Sequence, residues 1–182
     1  AATAEAAAEL FGRDRRPDGW ARARCEQAFC ALLGAELFGD EGLNAAAEVA
    51  FRDARAAARG GLARPLAEIG MLAVEARAKM AGGDAQAGRI AAARFDSPIA
   101  GLKALTRRCR AARLLIVEAR LIRVDLLLGW GARLGDRDLL QMALDEADAA
   151  AEGLAAEYEP LSWARAMALR AQALTLLGEA TG

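Results

Sequence analysis

The residues best suited to binding are arginines, which crowd the segment from 107 to 129. The same segment carries Leu, Ile and Val on nearly every helical face, so we expect a central helix whose arginines pair with carboxylates or line a groove. At 100° per residue, Arg113, Arg120 and Arg123 share one stripe. Because a guanidinium holds a carboxylate through two parallel hydrogen bonds, this stripe could clamp an acidic peptide. The predicted partner-binding residues are Arg113, Arg120, Arg123, Arg165 and Arg170.

A second interpretation of the arginine stripe is structural. Arginines of a packed helix commonly pair with carboxylates of adjacent helices, and Asp145, Glu146 and Asp148 are available for such pairs. In that case the stripe stabilises the fold and binds no partner. The sequence alone leaves both interpretations open.

Enzymatic chemistry has few residues to use in this chain. It contains no histidine, which removes the usual general base near neutral pH and the commonest transition-metal ligand. Cys25, Cys30 and Cys109 lack metal-site spacing, so we expect small buried apolar residues in a reducing compartment. Carboxylate chemistry, with a pair such as Glu48 and Asp53, stays open. We therefore predict that the protein is not an enzyme and needs no metal or cofactor.

Composition limits the partners and the compartment. Hydrophobic residues make up 55% of the 182 residues and aromatic residues only 5%, so Ala and Leu must build the interior. The formal net charge of -1 gives no overall attraction to nucleic acid or to anionic lipid. No apolar run approaches the roughly 18 residues of a membrane span, which predicts a soluble, cytoplasmic protein. The excess of arginine over lysine is typical of GC-rich bacterial sequences, and the two ends of the chain suggest a fragment of a longer polypeptide.

Proline and glycine positions divide the chain into helices. Pro17, Pro65, Pro98 and Pro160 each stand where a helix is expected to begin. Glycines mark the helix ends, and no segment alternates in the manner of a strand. The predicted helices cover residues 2–11, 18–38, 41–59, 62–81, 84–95, 98–134, 137–157 and 161–177.

The continuity of one helix and the capping of three others are open at this point. The segment 98–134 is unusually long, so it is either one helix or two helices with a break near residues 106–109. Asp18, Ser97 and Ser162 are short polar residues near helix starts, and we expect them to cap those helices.

A repeated phrase marks the chain as modular. Residues 17–23, Pro-Asp-Gly-Trp-Ala-Arg-Ala, return at 160–166 as Pro-Leu-Ser-Trp-Ala-Arg-Ala. Repeated helix starts in an alanine-rich chain indicate stacked hairpins, each of which buries its apolar face against a neighbour. Trp20 and Trp163 occupy the same place in the phrase, so both are expected to pack against the preceding hairpin.

The hairpins carry small and aromatic residues in the order of a known repeat. Ala, Gly-Ala and Phe on one helix precede Ala, Phe and Ala on the next, and a second, more alanine-rich copy follows later in the chain. The chain therefore resembles the tetratricopeptide-repeat family. The residues of the two copies are Ala31, Gly34, Ala35, Phe38, Ala47, Phe51 and Ala54, and Leu127, Trp130, Gly131, Leu134, Ala143, Ala147 and Ala150.

This resemblance implies an all-α fold of seven or eight helices, stacked as antiparallel hairpins in a right-handed α-solenoid. The implied hairpins cover residues 18–60, 62–96 and 98–157, followed by a terminal helix at 161–177, all within one domain over residues 1–182. The implied function is a protein–protein interaction scaffold that binds a peptide or a partner domain, acidic in character, on a concave surface. An alternative is a sensory or regulatory domain that encloses a small apolar ligand. The terminal helix is also a candidate for self-association.

Overall fold

The computed structural model describes residues 2–180, and this part of the chain is all-helical, without a strand. It contains nine helices, one more than the segments predicted from the sequence. They are α1 (Ala2–Phe11), α2 (Pro17–Phe38), α3 (Glu41–Ala57), α4 (Ala63–Met80), α5 (Ala85–Ala93), α6 (Asp96–Leu105), α7 (Ala111–Leu134), α8 (Arg137–Ala151) and α9 (Pro160–Glu179). The predicted all-α class is confirmed.

The extra helix comes from the long segment 98–134, which forms two helices, α6 and α7. The Thr106 hydroxyl donates to the Lys103 carbonyl at 2.8 Å, and the Arg108 amide donates to the Leu105 carbonyl at 3.0 Å. These short-range bonds replace the regular helical pattern and end α6. The break lies where the second sequence interpretation put it. Helix α8 ends at Ala151, six residues before its predicted end.

The predicted helix caps are wrong, because Asp18, Ser97 and Ser162 lie inside the first turns of their helices. Asp18 instead accepts hydrogen bonds from the backbone amides of Arg59 and Gly60, at 2.7 and 3.1 Å. It thereby ties the start of α2 to the segment that follows α3.

The side chains that do cap helices follow glycines in three Gly-Asp loops. Asp40, Asp84 and Asp136 accept from the backbone amides of Gly42, Ala87 and Leu139. A glycine with a left-handed backbone conformation ends the helix before two of these loops, with φ of +65° at residue 39 and +63° at residue 135. Loops this short make the helices α2 and α3, and likewise α7 and α8, run antiparallel.

The chain divides into two compact units, Ala1–Glu75 and Ala76–Gly182. The single domain predicted over residues 1–182, with its hairpins at 62–96 and 98–157, stays a prediction. In the first unit, α2 packs against α1 and α3. Phe51 is fully buried, meets the Phe29 ring edge-on at 4.8 Å, and lies over Gly70 so closely that a Cβ there would be 2.2 Å from the Phe51 ring.

In the second unit, α7 is the central helix and packs against α5, α6, α8 and α9. This arrangement confirms that the apolar segment is packed on several sides. Trp130 is 1% exposed, and its ring closes on Gly83 and Gly88, where any Cβ would lie within 3.1 Å of the indole. Val124, Leu128 and the α8 alanines complete the surrounding core.

The positions that suggested the repeat family have mixed environments. The second-helix residues Ala47, Phe51 and Ala54, with Ala143, Ala147 and Ala150, are all fully buried. By contrast, Phe38 is 80% exposed and Leu134 is 37% exposed.

The two tryptophans of the repeated phrase share a backbone setting but not a side-chain environment. Each stands in the first turn of a helix that begins with proline. Trp20 is half-buried between the guanidinium groups of Arg13 and Arg24, at 5.4 and 5.7 Å from its ring, whereas Trp163 is 38% exposed. Trp163 is therefore not a core residue, and its packing against the preceding hairpin stays a prediction.

Candidate functional site

Two arginines of the predicted stripe meet one carboxylate between α7 and α8. The Arg123 Nη2 atom lies 2.5 Å from the Glu146 Oε1 atom, and the Arg120 Nε atom lies 3.7 Å from the same oxygen. The three side chains are only 13–20% exposed. The geometry around this oxygen is that of an ion pair and not of a directed hydrogen bond. Arg123 also donates to Asp96 at 2.6 Å, so its guanidinium is occupied on both sides.

The remaining predicted arginines lie away from this cluster. Arg165 pairs with Glu118 at 3.0 Å, and Arg170 pairs with Asp148 at 2.5 Å. These two pairs join α9 to α7 and α8. Arg113 is exposed, and no carboxylate within residues 2–180 pairs with it.

Four of the five arginines thus pair within the chain: Arg120 and Arg123 with Glu146, Arg170 with Asp148 and Arg165 with Glu118. Their role in binding another protein stays a prediction. An arginine that already neutralises a carboxylate of its own chain must break that pair before it can hold another one, which weakens the case for an acidic partner.

An open groove lies beside the Glu146 cluster, and we name it the α7–α8 groove. It has a volume of about 300 Å³. Its floor is apolar and its rim is charged, which is the usual composition of a site that orients one segment of a ligand. The floor consists of Ala92, Ala93, Leu127 and Met142, and the rim consists of Asp96, Arg123, Asp145 and Glu146.

The rim of the α7–α8 groove carries more carboxylates than guanidinium groups. Three acidic residues line the groove with Arg123, and inclusion of Arg120, which pairs with Glu146, still leaves one negative charge in excess. Asp145 accepts a hydrogen bond from the Gln141 side chain at 2.8 Å, and no arginine or lysine in the described part of the chain pairs with it. The groove therefore favours a cationic group, contrary to the acidic partner that the arginine stripe suggested.

The sequence pointed to Arg123, Asp145 and Glu146 as charged residues that could pair, but neither to Asp96 nor to the apolar floor of the groove. Glu146 does form such pairs and is only 14% exposed. Met142 is 38% exposed among polar neighbours on α8, and that irregularity was the one available signal.

A second open groove, of about 480 Å³, lies between α2 and α3. Alanines and Val49 line most of it. Its one cation, Arg24, donates to Gln27 at 2.7 Å and lies 3.5 Å from Asp53. This groove presents mainly methyl groups to solvent, so it offers less chemical selectivity than the α7–α8 groove.

The cysteines do not form a reactive site. Burial raises the pKa of the Cys25 thiol to about 12, an effect that nearby Arg22 opposes and Glu26 reinforces. The thiol therefore stays protonated near neutral pH and is a poor nucleophile. Cys30 is exposed and Cys109 is half-buried, so the expectation that all three are buried is wrong for these two.

Other chemistry suggested by the sequence finds no support in the geometry. Glu48 pairs with Arg52, and Asp53 pairs with Arg24, so both proposed catalytic carboxylates are held in ion pairs. Among residues 2–180, no group of three or more potential ligands could hold a metal ion. Over the same range, no helix combines the length and apolar character that a bilayer crossing requires.

Comparisons with protein-family models, with curated proteins and with solved structures find no match to this chain. Function must therefore be argued from the grooves and the exposed helix faces. The α7–α8 groove is the better candidate, because it combines an apolar floor with a carboxylate that has no cationic partner.

Proposed function

We propose that this protein is a non-enzymatic, tetratricopeptide-like scaffold that binds a peptide segment or a partner domain on its helical surface. Three helix–Gly-Asp–helix loops with side-chain caps support the repeat character. The fully buried second-helix alanines support it as well, because small residues at these positions let the helices of a hairpin approach closely. Open grooves beside such hairpins suit an extended or helical ligand.

The α7–α8 groove is the docking site in this proposal, and its occupant carries one apolar and one basic side chain. The apolar side chain covers Met142 and Ala93, the exposed part of the floor, and the Lys or Arg reaches the Asp145 carboxylate. The observation that carries the proposal is the position of Asp145, an acidic group without a cationic partner beside the exposed apolar side chains of Met142 and Ala93.

The strength of such a contact follows from its parts. Burial of one Leu-sized side chain contributes about 1.5–3 kcal/mol, and an exposed ion pair contributes about 0.2–1 kcal/mol. Together they amount to about 1.7–4 kcal/mol, which corresponds to a Kd of about 1 mM at the strongest and tens of millimolar at the weakest. A physiological partner would therefore engage additional surface, and the test needs a method that detects weak binding.

Backbone-amide chemical shifts of the labelled protein provide such a test. Three 12-residue peptides share a central Leu, which is flanked on both sides by Lys, by Gln or by Glu. The Lys peptide is expected to bind at least about fivefold more tightly than the Glu peptide at low salt, and the difference shrinks at high salt. Shift changes should concentrate on α7 and α8.

Asp145→Asn should remove the preference for the Lys peptide without affecting the fold. Asp14→Asn is the matched control, because Asp14 is also exposed, lies outside the groove and changes the net charge equally. The proposal fails if the Glu peptide binds as tightly as the Lys peptide, or if the Asp145 and Asp14 variants behave alike.

The alternative of a domain that encloses a small apolar ligand needs a closed apolar cavity. Both grooves described above are open to solvent and have charged groups at their edges. Neither groove therefore suits an enclosed apolar ligand.

A further inference from the structure

Positive charge is concentrated where α6 ends and α7 begins. The 21 residues from 97 to 117 contain five cationic side chains and neither a carboxylate nor an aromatic ring. Because the whole chain has a formal net charge of -1, the remaining residues carry a charge of -6. All five cations are exposed. We call this set the basic corner, and it comprises Lys103, Arg107, Arg108, Arg110 and Arg113.

The basic corner is not neutralised by the described part of the chain. Within residues 2–180, none of its five side chains pairs with a carboxylate. Elsewhere in the same compact unit, arginines do form such pairs, so folding neutralises guanidinium groups at other places and leaves these available to a ligand. The paired arginines of this unit include Arg77, Arg89, Arg120, Arg123, Arg165 and Arg170.

The positions of these arginines do not serve the stability of α7. The amide groups at the start of a helix carry partial positive charge, so cations there are unfavourable. Arg108 and Arg110 lie immediately before α7, and Arg113 lies in its first turn. That turn contains no acidic residue, and no side chain caps the helix. A bound anion would remove this unfavourable interaction and the repulsion among the cations themselves.

The surroundings of the basic corner favour a compact anion over an extended one. The loop between α8 and α9 carries the exposed Glu152 and Glu157. This loop lies beside α7, since a Cβ on Gly153 would be 3.5 Å from the Val117 Cγ2 atom, and Val117 is only about 6 Å along the helix from Arg113. A lipid bilayer or a nucleic-acid duplex would meet these carboxylates together with the corner. The corner also has no aromatic side chain on which the bases of a single strand could stack.

We propose that the basic corner binds a phosphorylated side chain of a partner protein. A phosphate group carries nearly two negative charges and three acceptor oxygens, and it is small enough to avoid the neighbouring carboxylates. Arg110 has helical backbone angles, so it and Arg113, three residues later, are neighbours on one side of the helix. One phosphate can therefore accept hydrogen bonds from both guanidinium groups. A carboxylate, with one charge and two oxygens, binds less strongly at the same place.

An exposed leucine beside the arginines favours a phosphorylated protein segment over a free phosphate ion. Leu114 follows Arg113 directly, lies one turn after Arg110 and is 41% exposed. An apolar residue next to the phosphorylated one can cover this side chain, which inorganic phosphate cannot do. The basic corner shares no residue with the α7–α8 groove. This proposal therefore does not rest on the peptide proposal above, and each can fail without the other.

Fluorescence anisotropy with the whole chain tests the proposal. The probe is a labelled peptide of about 12 residues, rich in Gly and Ser, in which a central phosphoserine is followed by Leu. At about 150 mM salt, this peptide should bind at least about tenfold more tightly than its unphosphorylated form and about threefold more tightly than a form with Glu in place of phosphoserine. Inorganic phosphate should compete at least about tenfold less effectively than the unlabelled phosphorylated peptide.

A double variant removes the two arginines that lie on one side of α7. Arg110→Gln with Arg113→Gln should weaken binding of the phosphorylated peptide at least about tenfold. Because it removes cations from the start of α7, it should be at least as stable as the wild type in urea denaturation, so a loss of binding would not reflect unfolding. Arg59→Gln with Arg137→Gln is the matched control, since both arginines are exposed, neither pairs with a carboxylate within residues 2–180, and the net charge changes equally. Its Kd should stay within about twofold of wild type.

Two competitors distinguish a phosphorylated segment from an extended polyanion. A DNA duplex of about 20 base pairs and vesicles rich in phosphatidylserine should each displace the labelled peptide less effectively than the unlabelled phosphorylated peptide does at about 150 mM salt. Asp145→Asn, which tests the α7–α8 groove, should leave the Kd within about twofold. Stronger competition by the duplex or the vesicles, equal Kd values for the phosphorylated and unphosphorylated peptides, or equal effects of the two double variants would each overturn the proposal.

Discussion

Gly131 lies where α7 and α8 approach closely beside the α7–α8 groove, and Gly34 lies at the corresponding approach of α2 and α3. Alanine substitutions at the two sites test how close each approach is. Each glycine lies in the last turns of a first helix, opposite a leucine of the second helix. A Cβ on Gly131 would lie 2.7 Å from the Leu140 Cδ2 atom and 3.2 Å from the Leu140 backbone nitrogen, in a buried contact. A Cβ on Gly34 would meet only the Cδ1 atom of the half-buried Leu43, at 3.0 Å. A glycine-to-alanine substitution in α7 thus meets a rigid neighbour on α8, whereas the same substitution in α2 meets a flexible side chain on α3.

The two alanine substitutions should change stability in opposite directions. Replacing a helical glycine by alanine gains about 1 kcal/mol at both sites, because alanine loses less backbone entropy on folding. Overpacking a buried contact costs about 1–3 kcal/mol, and this cost applies in full at Gly131, where backbone as well as side chain would have to move. We expect Gly131→Ala to lower the free energy of unfolding by up to about 2 kcal/mol. Gly34→Ala should raise it by as much as about 1 kcal/mol.

Urea denaturation followed by far-UV circular dichroism measures both effects. Because the chain has two compact units, a single transition should not be assumed. Trp130 fluorescence, in a Trp20→Phe and Trp163→Phe background, reports on the second unit alone. If Gly131→Ala stabilises that unit as Gly34→Ala stabilises the first, the close approach of α7 and α8 is refuted.

Two more predictions concern buried and half-buried groups. Burial raises the pKa of the Cys25 thiol to about 12 in the folded chain, so the unfolded chain loses this proton first as the pH rises. The contribution of Cys25 to the free energy of unfolding is therefore present below about pH 8.5 and is lost as the pH rises toward 12. Urea denaturation at several pH values should show this loss in the wild type and not in Cys25→Ala. In a separate test, a thiol reagent should label Cys30 before Cys25, and equal labelling rates would contradict the burial of Cys25. Glu146→Gln leaves the partly buried Arg120 without its countercharge and Arg123 with Asp96 as its one remaining partner, so it should cost about 1–3 kcal/mol. Glu48→Gln, in an exposed pair, should cost less than about 0.5 kcal/mol in the same urea assay; similar costs would contradict the Glu146 cluster.

Local chemistry explains what was predictable from the sequence. Helix starts at Pro17 and Pro160 and stops at Gly39 and Gly135 depend on backbone preferences that act within a few residues, so the all-α class and most helix limits follow from residue type. The sequence left open whether the segment 98–134 is one helix or two with a break near Thr106. The hydrogen bond from the Thr106 side chain to the Lys103 carbonyl competes with the helix only when the surroundings permit it. The burial of the second-helix alanines was equally readable, because it follows from periodicity.

The tertiary structure decided which of these surfaces are occupied. Arg123 meets Asp96 and Glu146, which are remote from it in the chain, and only the rotation of each helix about its axis determines that pairing. Helix rotation also separates the two copies of the repeated phrase. Ala21 is buried in α2, whereas Ala164, at the same place in the phrase, is exposed in α9. Residue types and spacing thus determined that helices form and where each one ends. The neighbours of each helix decided which arginines are neutralised, which charge the groove carries and which apolar face stays open, because these depend on contacts between segments far apart in sequence.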